Sequence, residues 1–388
     1  MNVSPLAQVF LLWFAGLGAA AQFSKVGVIF GTLSAQYPGA GEVALGLVVS
    51  IAGFAGLLFG TTAGLLVARA GYKRALVAAL AAGAVLSLAE ALLPPLPLML
   101  ALRAVEGAAH LAIVVSAPVL IAQIAPPGRQ GFAMTLWGTF FAVSFAFTAW
   151  IGRPLVAAFG IPPLFLIHAL YMAACAGLVA ALLPPEPPCP APPLRLGPLL
   201  RQHGEIYRSP RVAAPAIGFL CYTLVYVALL TLLPPLTAHP GLLATAMPLT
   251  TIAVSMGLGV WLLGRFSAVV LVQAGFAATA LAALLLQAAW GHEPLVVAAA
   301  LALAGALGLV QGASFAAIPQ LNPDREARAR AAGAVAQLGN VGTTCGTPLL
   351  AALLADLSRP GLLLFVLVPA LSGIVLHQWL SARRRAEA

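Results

Sequence analysis

Long apolar stretches, separated by short polar connections, run through the whole chain. Each stretch has about 20 residues or more, which is the length that an α-helix needs to cross the hydrocarbon core of a bilayer. Strands of a membrane barrel would instead be about 10 residues long, with alternating polarity. The pattern therefore predicts an all-α polytopic membrane protein with twelve transmembrane helices, which we call spans one to twelve, over residues 6–34, 43–67, 74–94, 96–124, 131–158, 162–184, 211–236, 241–264, 266–290, 294–320, 329–357 and 361–381.

The composition agrees with this pattern. Hydrophobic residues make up 62% of the 388 residues and charged residues only 7%, with a mean hydropathy of +1.02. Soluble domains have about 25% charged residues. The chain opens on Met-Asn-Val-Ser-Pro without a basic stretch, and its first apolar run is too long for a cleaved signal. We expect this run to remain in the mature protein as span one.

The formal net charge of +9 comes from cations that fall mostly in alternate connections and in the carboxyl-terminal tail. The positive-inside rule places the cation-rich side, and with it both termini, in the cytoplasm. This distribution indicates a multi-pass protein of a bacterial inner (plasma) membrane. It argues against nucleic acid as a partner, because the basic residues sort by side of the membrane and form no continuous surface.

One long connection divides the chain. Residues 185–210 begin rich in proline and continue with basic residues, so we expect a cytoplasmic central loop with a short amphipathic helix on the membrane face. The loop separates an amino-terminal six-helix half, residues 1–184, from a carboxyl-terminal half, residues 211–388. Gly-Arg-Pro-Leu-Val-Ala-Ala from Gly152 is similar to Gly-Thr-Pro-Leu-Leu-Ala-Ala from Gly346, which indicates a six-plus-six duplication.

Three motifs carry a family resemblance. The connection after span two has a pattern of glycines and cations, with Ala68 where an acid is usual, at Gly64, Arg69, Gly71, Lys73 and Arg74. Span four contains Arg103-Ala104-Val105-Glu106-Gly107, and span five contains Gly152-Arg153-Pro154.

With its twelve spans and duplicated pattern, the chain resembles the major facilitator superfamily over essentially its whole length. The resemblance implies a monomeric secondary transporter in which two six-helix halves alternate access to a midplane site. It also implies a conformational gating role for the five residues of the first motif, and a cavity lined by spans one, four, seven and ten.

Ionisable side chains in the spans are the candidate chemistry. Arg103, Glu106 and His110 share one face of a helix, while Lys25 lies in span one and Arg153 in span five. Charges at bilayer depth need a partner, a water-filled cavity or a ligand. Three cations against one carboxylate predict an anion site at Lys25, Arg103 and Arg153, joined by Gln22. Glu106 and His110 are the predicted proton-coupling groups.

The carboxyl-terminal half is expected to have no ionisable group deep in its spans. Tyr222 and Tyr226, four residues apart on span seven, and Asn340 on span eleven are its predicted substrate contacts. Aromatic and amide side chains can contact the apolar part and the hydrogen-bonding groups of an organic substrate. The sequence therefore predicts a transporter of a small organic anion, with protons as the coupling ion and without a cofactor or resident metal.

Alternatives remain open from the residues alone. Arg103 would be structural if it only paired with Glu106, and Lys25 and Arg153 would be structural if they extended toward headgroups. Drug or multidrug efflux is the second functional hypothesis. Lower alternatives are a membrane-embedded enzyme and a transporter of transition metals or their chelates, the latter suggested by His168 and Cys175 on span six, a span expected to face lipid.

The predicted topology is tested by labelling. A single cysteine introduced at residues 126–128, in the connection after span four, should react with a membrane-impermeant maleimide only when the cytoplasmic side is accessible, because the positive-inside rule places this connection there. Labelling from the outside of intact cells would overturn the orientation.

Overall fold

The computed structural model describes residues 3–126, 129–185 and 196–387, and the regular structure of these residues is entirely helical. The first ten helices are α1 (Pro5–Gly27), α2 (Phe30–Gln36), α3 (Glu42–Ser50), α4 (Phe54–Phe59), α5 (Ala63–Ala70), α6 (Tyr72–Glu90), α7 (Leu96–Ile124), α8 (Gln130–Gly138), α9 (Phe140–Phe159) and α10 (Pro162–Leu182). The others are α11 (Leu196–Arg208), α12 (Ala213–Leu232), α13 (Pro240–Ala253), α14 (Val260–Leu263), α15 (Ala268–Ala289), α16 (Glu293–Leu321), α17 (Arg325–Leu357) and α18 (Arg359–Ala386).

Twelve segments of the described chain are long and apolar enough to cross a membrane, which confirms the predicted number of spans. Ten of them are the single helices α1, α6, α7, α9, α10, α12, α15, α16, α17 and α18. Span two joins α3 to α4 through the 3₁₀ turn Ile51–Gly53, and span eight joins α13 to α14 through the π-helical segment Val254–Gly259.

Some predicted bounds are wrong because side chains and glycines interrupt the apolar runs. Span one ends at Gly27 rather than at residue 34, and span two ends at Phe59 beside Gly60. The predicted span five is broken at Thr139, whose hydroxyl donates to the Leu136 carbonyl at 2.7 Å. A threonine that bonds the preceding turn competes with the helix ladder, so α8 ends there and only α9 has the length of a span.

The turns between helices follow local chemistry. Ser4 caps α1 by accepting a hydrogen bond from the Ala7 amide at 3.3 Å, and Asp324 caps α17 by accepting from the Ala327 amide at 2.7 Å. Gly71 has a φ of 86° between α5 and α6. A residue with a Cβ atom rarely adopts that conformation, so this glycine sets the sharp turn after span two.

The chain forms two compact units. The first comprises Met1–Ala40, Ile51–Gly56 and Thr62–Pro193, and the second Gly41–Ser50, Leu57–Thr61 and Leu194–Ala388. The core of the first unit is built from α1, α6, α7 and α10, with Leu12, Leu80, Ile113 and Met172 fully buried. The same four helices also contain the buried ionisable residues Lys25, Glu90, Arg103, Glu106 and His168.

In the second unit, α12 packs closely along α17. A Cβ atom added at Gly346 would lie 2.1 Å from the Leu224 carbonyl oxygen, so only glycine permits this approach. The predicted amphipathic helix of the central loop is present as α11, and its Tyr207 hydroxyl donates to the Gln337 side chain of α17 at 2.7 Å. Burial raises the pKa of Tyr207 to about 12. The proline-rich part of the loop, residues 186–195, lies outside the described residues.

Each unit also contains a glycine that lets two spans touch through their backbones. In the first unit a Cβ at Gly107 of span four would lie 2.2 Å from the Ala52 carbonyl oxygen of span two. In the second unit a Cβ at Gly308 of span ten would lie 2.4 Å from the Thr251 carbonyl oxygen of span eight. Small residues at such crossings are the usual device of membrane helix packing.

These contacts predict that adding a single methyl group at either glycine lowers the stability of the protein. Gly107→Ala and Gly308→Ala should each destabilise the protein by about 1–3 kcal/mol, the usual cost of overpacking. Gly177→Ala on α10 is the matched control, because nothing lies within 4 Å of its added Cβ. Thermal unfolding in detergent measures all three, and equal stability of the three variants would contradict the packing.

Candidate functional site

The ammonium group of Lys25 is the centre of a buried polar cluster in the first unit. Its Nζ atom donates to Glu106 Oε1 of α7 at 2.8 Å and to Ser87 Oγ of α6 at 2.9 Å. It also lies 2.7 Å from Glu90 Oε2, at the end of α6, and 5.0 Å from the centre of the Phe165 ring. Lys25 is only 1% exposed, so its charge is satisfied entirely by protein groups.

Arg103 completes the cluster from α7. Its guanidinium donates to Glu106 Oε2, three residues further along the same helix, and its Nη1 atom lies 3.8 Å from Glu90 Oε1. Arg103, Glu90 and Glu106 are fully buried. Glu106 therefore bridges both cations, one through each carboxylate oxygen.

The charge count predicted for this region is wrong, because Glu90 adds a second carboxylate. Lys25, Arg103, Glu90 and Glu106, which we call the charge quartet, contain two cations and two carboxylates and have no net formal charge. Sequence reasoning does not single out Glu90, since it lies near the end of a predicted span. A usable signal exists, because Ser87 and Glu90 are three residues apart and so place two polar groups on one face of an otherwise apolar helix.

His168 of α10 lies beside the quartet rather than toward lipid, contrary to the expectation for span six. Its Nε2 atom lies 3.0 Å from the Gly18 carbonyl of α1, and its Nδ1 atom lies 2.9 Å from Ser87 Oγ and 3.3 Å from Lys25 Nζ. A carbonyl only accepts, so Nε2 carries the proton and Nδ1 of a neutral ring is an acceptor. His168 Nδ1 thus accepts from the Lys25 ammonium, while the Ser87 hydroxyl donates to the Phe165 carbonyl at 3.0 Å.

His110 and Gln22 are also buried in the first unit. His110 donates from Nδ1 to the Ala19 carbonyl at 3.0 Å and packs edge-on against Phe23, with ring centres 5.0 Å apart. Gln22 is fully buried, and its amide Nε2 lies 3.0 Å from the Cβ position of Gly83 on α6. Both residues therefore contact neighbouring helices of the first unit.

Arg153 is separate from the quartet. It is partly buried on α9, and its Nη1 atom donates to the Val28 carbonyl, just after α1, at 3.4 Å. A cation at the carboxyl end of a helix is favoured by the helix dipole. This contact gives Arg153 a structural partner at one end of α1.

The predicted gating residues are placed around the turn after span two. Gly64 lies on α5, where nothing would meet an added Cβ within 4 Å, and Arg69 and Arg74 are exposed. Lys73 at the start of α6 donates to the carbonyls of Ala180 at 2.9 Å and Leu183 at 2.5 Å, at the end of α10. Lys73 thereby ties spans three and six together.

The second unit places Tyr222 and Tyr226 in a stacked pair with ring centres 5.0 Å apart, both buried on α12. Asn340 is partly buried and donates to the Ala336 carbonyl of its own helix at 2.7 Å. The second unit also buries an ionisable side chain, His377 of α18, near the end of the predicted span twelve. Its Nε2 atom lies 2.6 Å from the Cβ position of Gly218 on α12.

The described residues contain no group of three or more His, Cys, Asp and Glu side chains placed to hold a metal ion. His168 instead contacts Ser87 and Gly18. Cys175, the other member of the candidate metal face, is buried in the core of the first unit.

The quartet predicts strong, partner-specific stability effects. Lys25→Met should cost about 3–5 kcal/mol, because removing one partner of a buried ion pair leaves a carboxylate uncompensated. The double variant Lys25→Met/Glu90→Gln should regain most of this loss, since it removes the uncompensated charge. Arg201→Gln is the control, since Arg201 is 84% exposed. Unfolding in detergent measures the variants, and a double variant no more stable than Lys25→Met would contradict the pairing.

Comparison with known families agrees with this architecture. The family model described as Major Facilitator Superfamily matches residues 12–242, which is more than half of the chain. A search of curated proteins gave no match. The match and the twelve candidate spans show that this chain is a multi-pass integral membrane protein and belongs to the Major Facilitator Superfamily, a family of membrane transporters.

Proposed function

We propose that this protein is a secondary active transporter that carries a small organic anion across a bacterial inner membrane by alternating access, coupled to protons. The observation that carries the proposal is the charge quartet, fully buried among four spans of a transporter. Ionisable residues inside membrane spans are costly and are typical of substrate and ion pathways. Lys25 and Arg103 are the cations that bind the anionic group of the substrate.

The remaining substrate contacts are proposed from position. Gln22 lies one turn from Lys25 on α1, and Arg153 lies beside the end of α1. His110, one turn from Glu106 on α7, is not a substrate contact but belongs with Glu106 to the proton-coupling groups. Tyr222, Tyr226 and Asn340 of the second unit supply the aromatic and amide surface for the organic part. Gly64, Arg69, Gly71, Lys73 and Arg74 belong to the gate.

The six-plus-six duplication behind alternating access is supported by repeated packing. The backbone contact at Gly107 in the first unit has an equivalent at Gly308 in the second. His168 of span six contacts Gly18 of span one, and His377 of span twelve lies against Gly218 of span seven. Equivalent spans therefore use the same residue types at the same crossings, as internal repeats of a transporter do.

Drug efflux is the second candidate, and one observation favours it. The stacked pair of Tyr222 and Tyr226 is extended by Phe219, whose ring centre lies 5.4 Å from that of Tyr222, and aromatic faces attract organic cations. Under this alternative the quartet would stabilise the fold and couple protons without contacting the substrate.

A thermal-shift screen followed by transport assays separates the candidates. Purified protein is heated with a panel of mono- and dicarboxylates, organic phosphates, sulfonates and lipophilic cations. An organic anion should raise the unfolding temperature, since a ligand at 100 times its Kd stabilises by about 2.7 kcal/mol. Stabilisation by lipophilic cations alone would support drug efflux and contradict our proposal.

The stabilising anion is then tested in proteoliposomes. Lys25→Gln and Arg103→Gln should each weaken anion binding by about 1.5–3 kcal/mol, the worth of a charge-assisted hydrogen bond, and uptake should fall accordingly. The exposed Arg201→Gln is the matched control and should transport normally. Wild-type uptake in both quartet variants would remove Lys25 and Arg103 from the substrate site.

A further inference from the structure

The two carboxylates of the charge quartet are held unequally. Glu106 accepts a hydrogen bond from Lys25 at one oxygen and from Arg103 at the other. Glu90 lies near the same two cations, at 2.7 Å from Lys25 and 3.8 Å from Arg103. Glu90 therefore shares the Lys25 ammonium with Glu106, whereas the Arg103 guanidinium is bonded to Glu106 and lies farther from Glu90. Hydrogen bonds to a charged carboxylate favour the ionised form, so Glu106 is the better stabilised anion.

The position of Glu90 in its helix points the same way. Glu90 is the last residue of α6, where the helix dipole places partial negative charge and disfavours a carboxylate. Glu106 lies within α7, ten residues after its start at Leu96, which is about 15 Å along the helix axis. A proton entering from the end of α6 therefore meets Glu90 before Glu106.

Tyr37 lies near the end of α6 that carries Glu90. The connection after Glu90 contains Pro94, whose carbonyl accepts a hydrogen bond from the partly buried Tyr37 hydroxyl at 2.9 Å. Burial, and after it the negative charge of Glu90, raise the pKa of the Tyr37 phenol. The charged or titratable groups facing Glu90 are thus Lys25 from α1, Arg103 and Glu106 from α7, His168 from α10, and Tyr37.

We propose that Glu90 is the proton-loading carboxylate of this transporter and that its protonation creates the anion site, so that the proton and the anion are carried together as a symport. The proposal rests on the transport function proposed above. A proton from water binds one oxygen of Glu90, whose charge changes from minus one to zero. The quartet then changes from no net formal charge to plus one.

Charge balance gives the direction of coupling. While both carboxylates are ionised, Lys25 and Arg103 are fully compensated, and an added anion would make the buried cluster net negative. Once Glu90 is neutral, Glu106 compensates one cation and the other is available to the carboxylate, phosphate or sulfonate of a substrate. An antiporter would need the opposite, namely anion binding that releases the proton.

The first test uses the proton itself as the probe. Infrared difference spectra of the full chain in nanodiscs, recorded as the pH is lowered, should show the carbonyl stretch of a buried carboxylic acid. Glu90→Gln should remove this band, whereas the exposed control Glu42→Gln should keep it. In Glu106→Gln the band should appear only at a lower pH, because Glu90 is then the one quartet carboxylate beside both cations. Glu90→Asp should shift its frequency, which assigns the band even if Glu90→Gln does not fold.

A band that survives Glu90→Gln and is lost in Glu106→Gln would overturn the assignment, as would the absence of any buried acid band while the protein remains folded. Neither result depends on a substrate, so either one would overturn the assignment of Glu90 without contradicting the proposed transport function.

The second test addresses coupling with any anion of the thermal-shift panel that stabilises the wild-type protein. Its stabilising effect should be larger at mildly acidic than at mildly alkaline pH in the wild type, and independent of pH in Glu90→Gln. A larger effect at alkaline pH in the wild type would contradict symport.

Discussion

Mutual compensation of four buried charges is the constraint on which the first unit depends. Lys25, Arg103, Glu90 and Glu106 come from α1, α6 and α7, and all four are almost completely removed from solvent. A single ionised group at this depth costs several kcal/mol, so each helix is held in place by the charge that its neighbours present. Ser87 and His168 add hydrogen bonds that fix the Lys25 ammonium.

The quartet also explains why a transporter would keep costly groups in its interior. Apolar residues of similar volume would often stabilise a fold as well as a buried ion pair does. An arrangement with equal numbers of cations and carboxylates is balanced only while every carboxylate is ionised. In the coupling we propose, one proton changes the affinity of the quartet for an anion, so stability and anion binding depend on the same few side chains.

Sequence patterns predicted the architecture well and the site only in part. Apolar runs of about 20 residues define the spans because the bilayer sets their length. The break at Thr139 was not predictable from hydropathy, since one hydroxyl bonding one carbonyl causes it. The helical face shared by Arg103 and Glu106 follows from periodicity. The contacts of His168 with Ser87 and Lys25, which are 81 and 143 positions away in the chain, do not, because they depend on how the spans pack. The contact of Glu90 with Lys25 depends on this packing as well.

The connection between α6 and α7 has a mechanical consequence. Residues 91–95 join Glu90 directly to the helix that contains Arg103 and Glu106, so three members of the quartet belong to one helical hairpin, and Lys25 alone comes from elsewhere in the chain. Any rearrangement that leaves the hairpin intact can change the electrostatic balance of the site only by displacing α1. Lys25 is therefore the one member of the quartet whose position depends on a helix outside this hairpin.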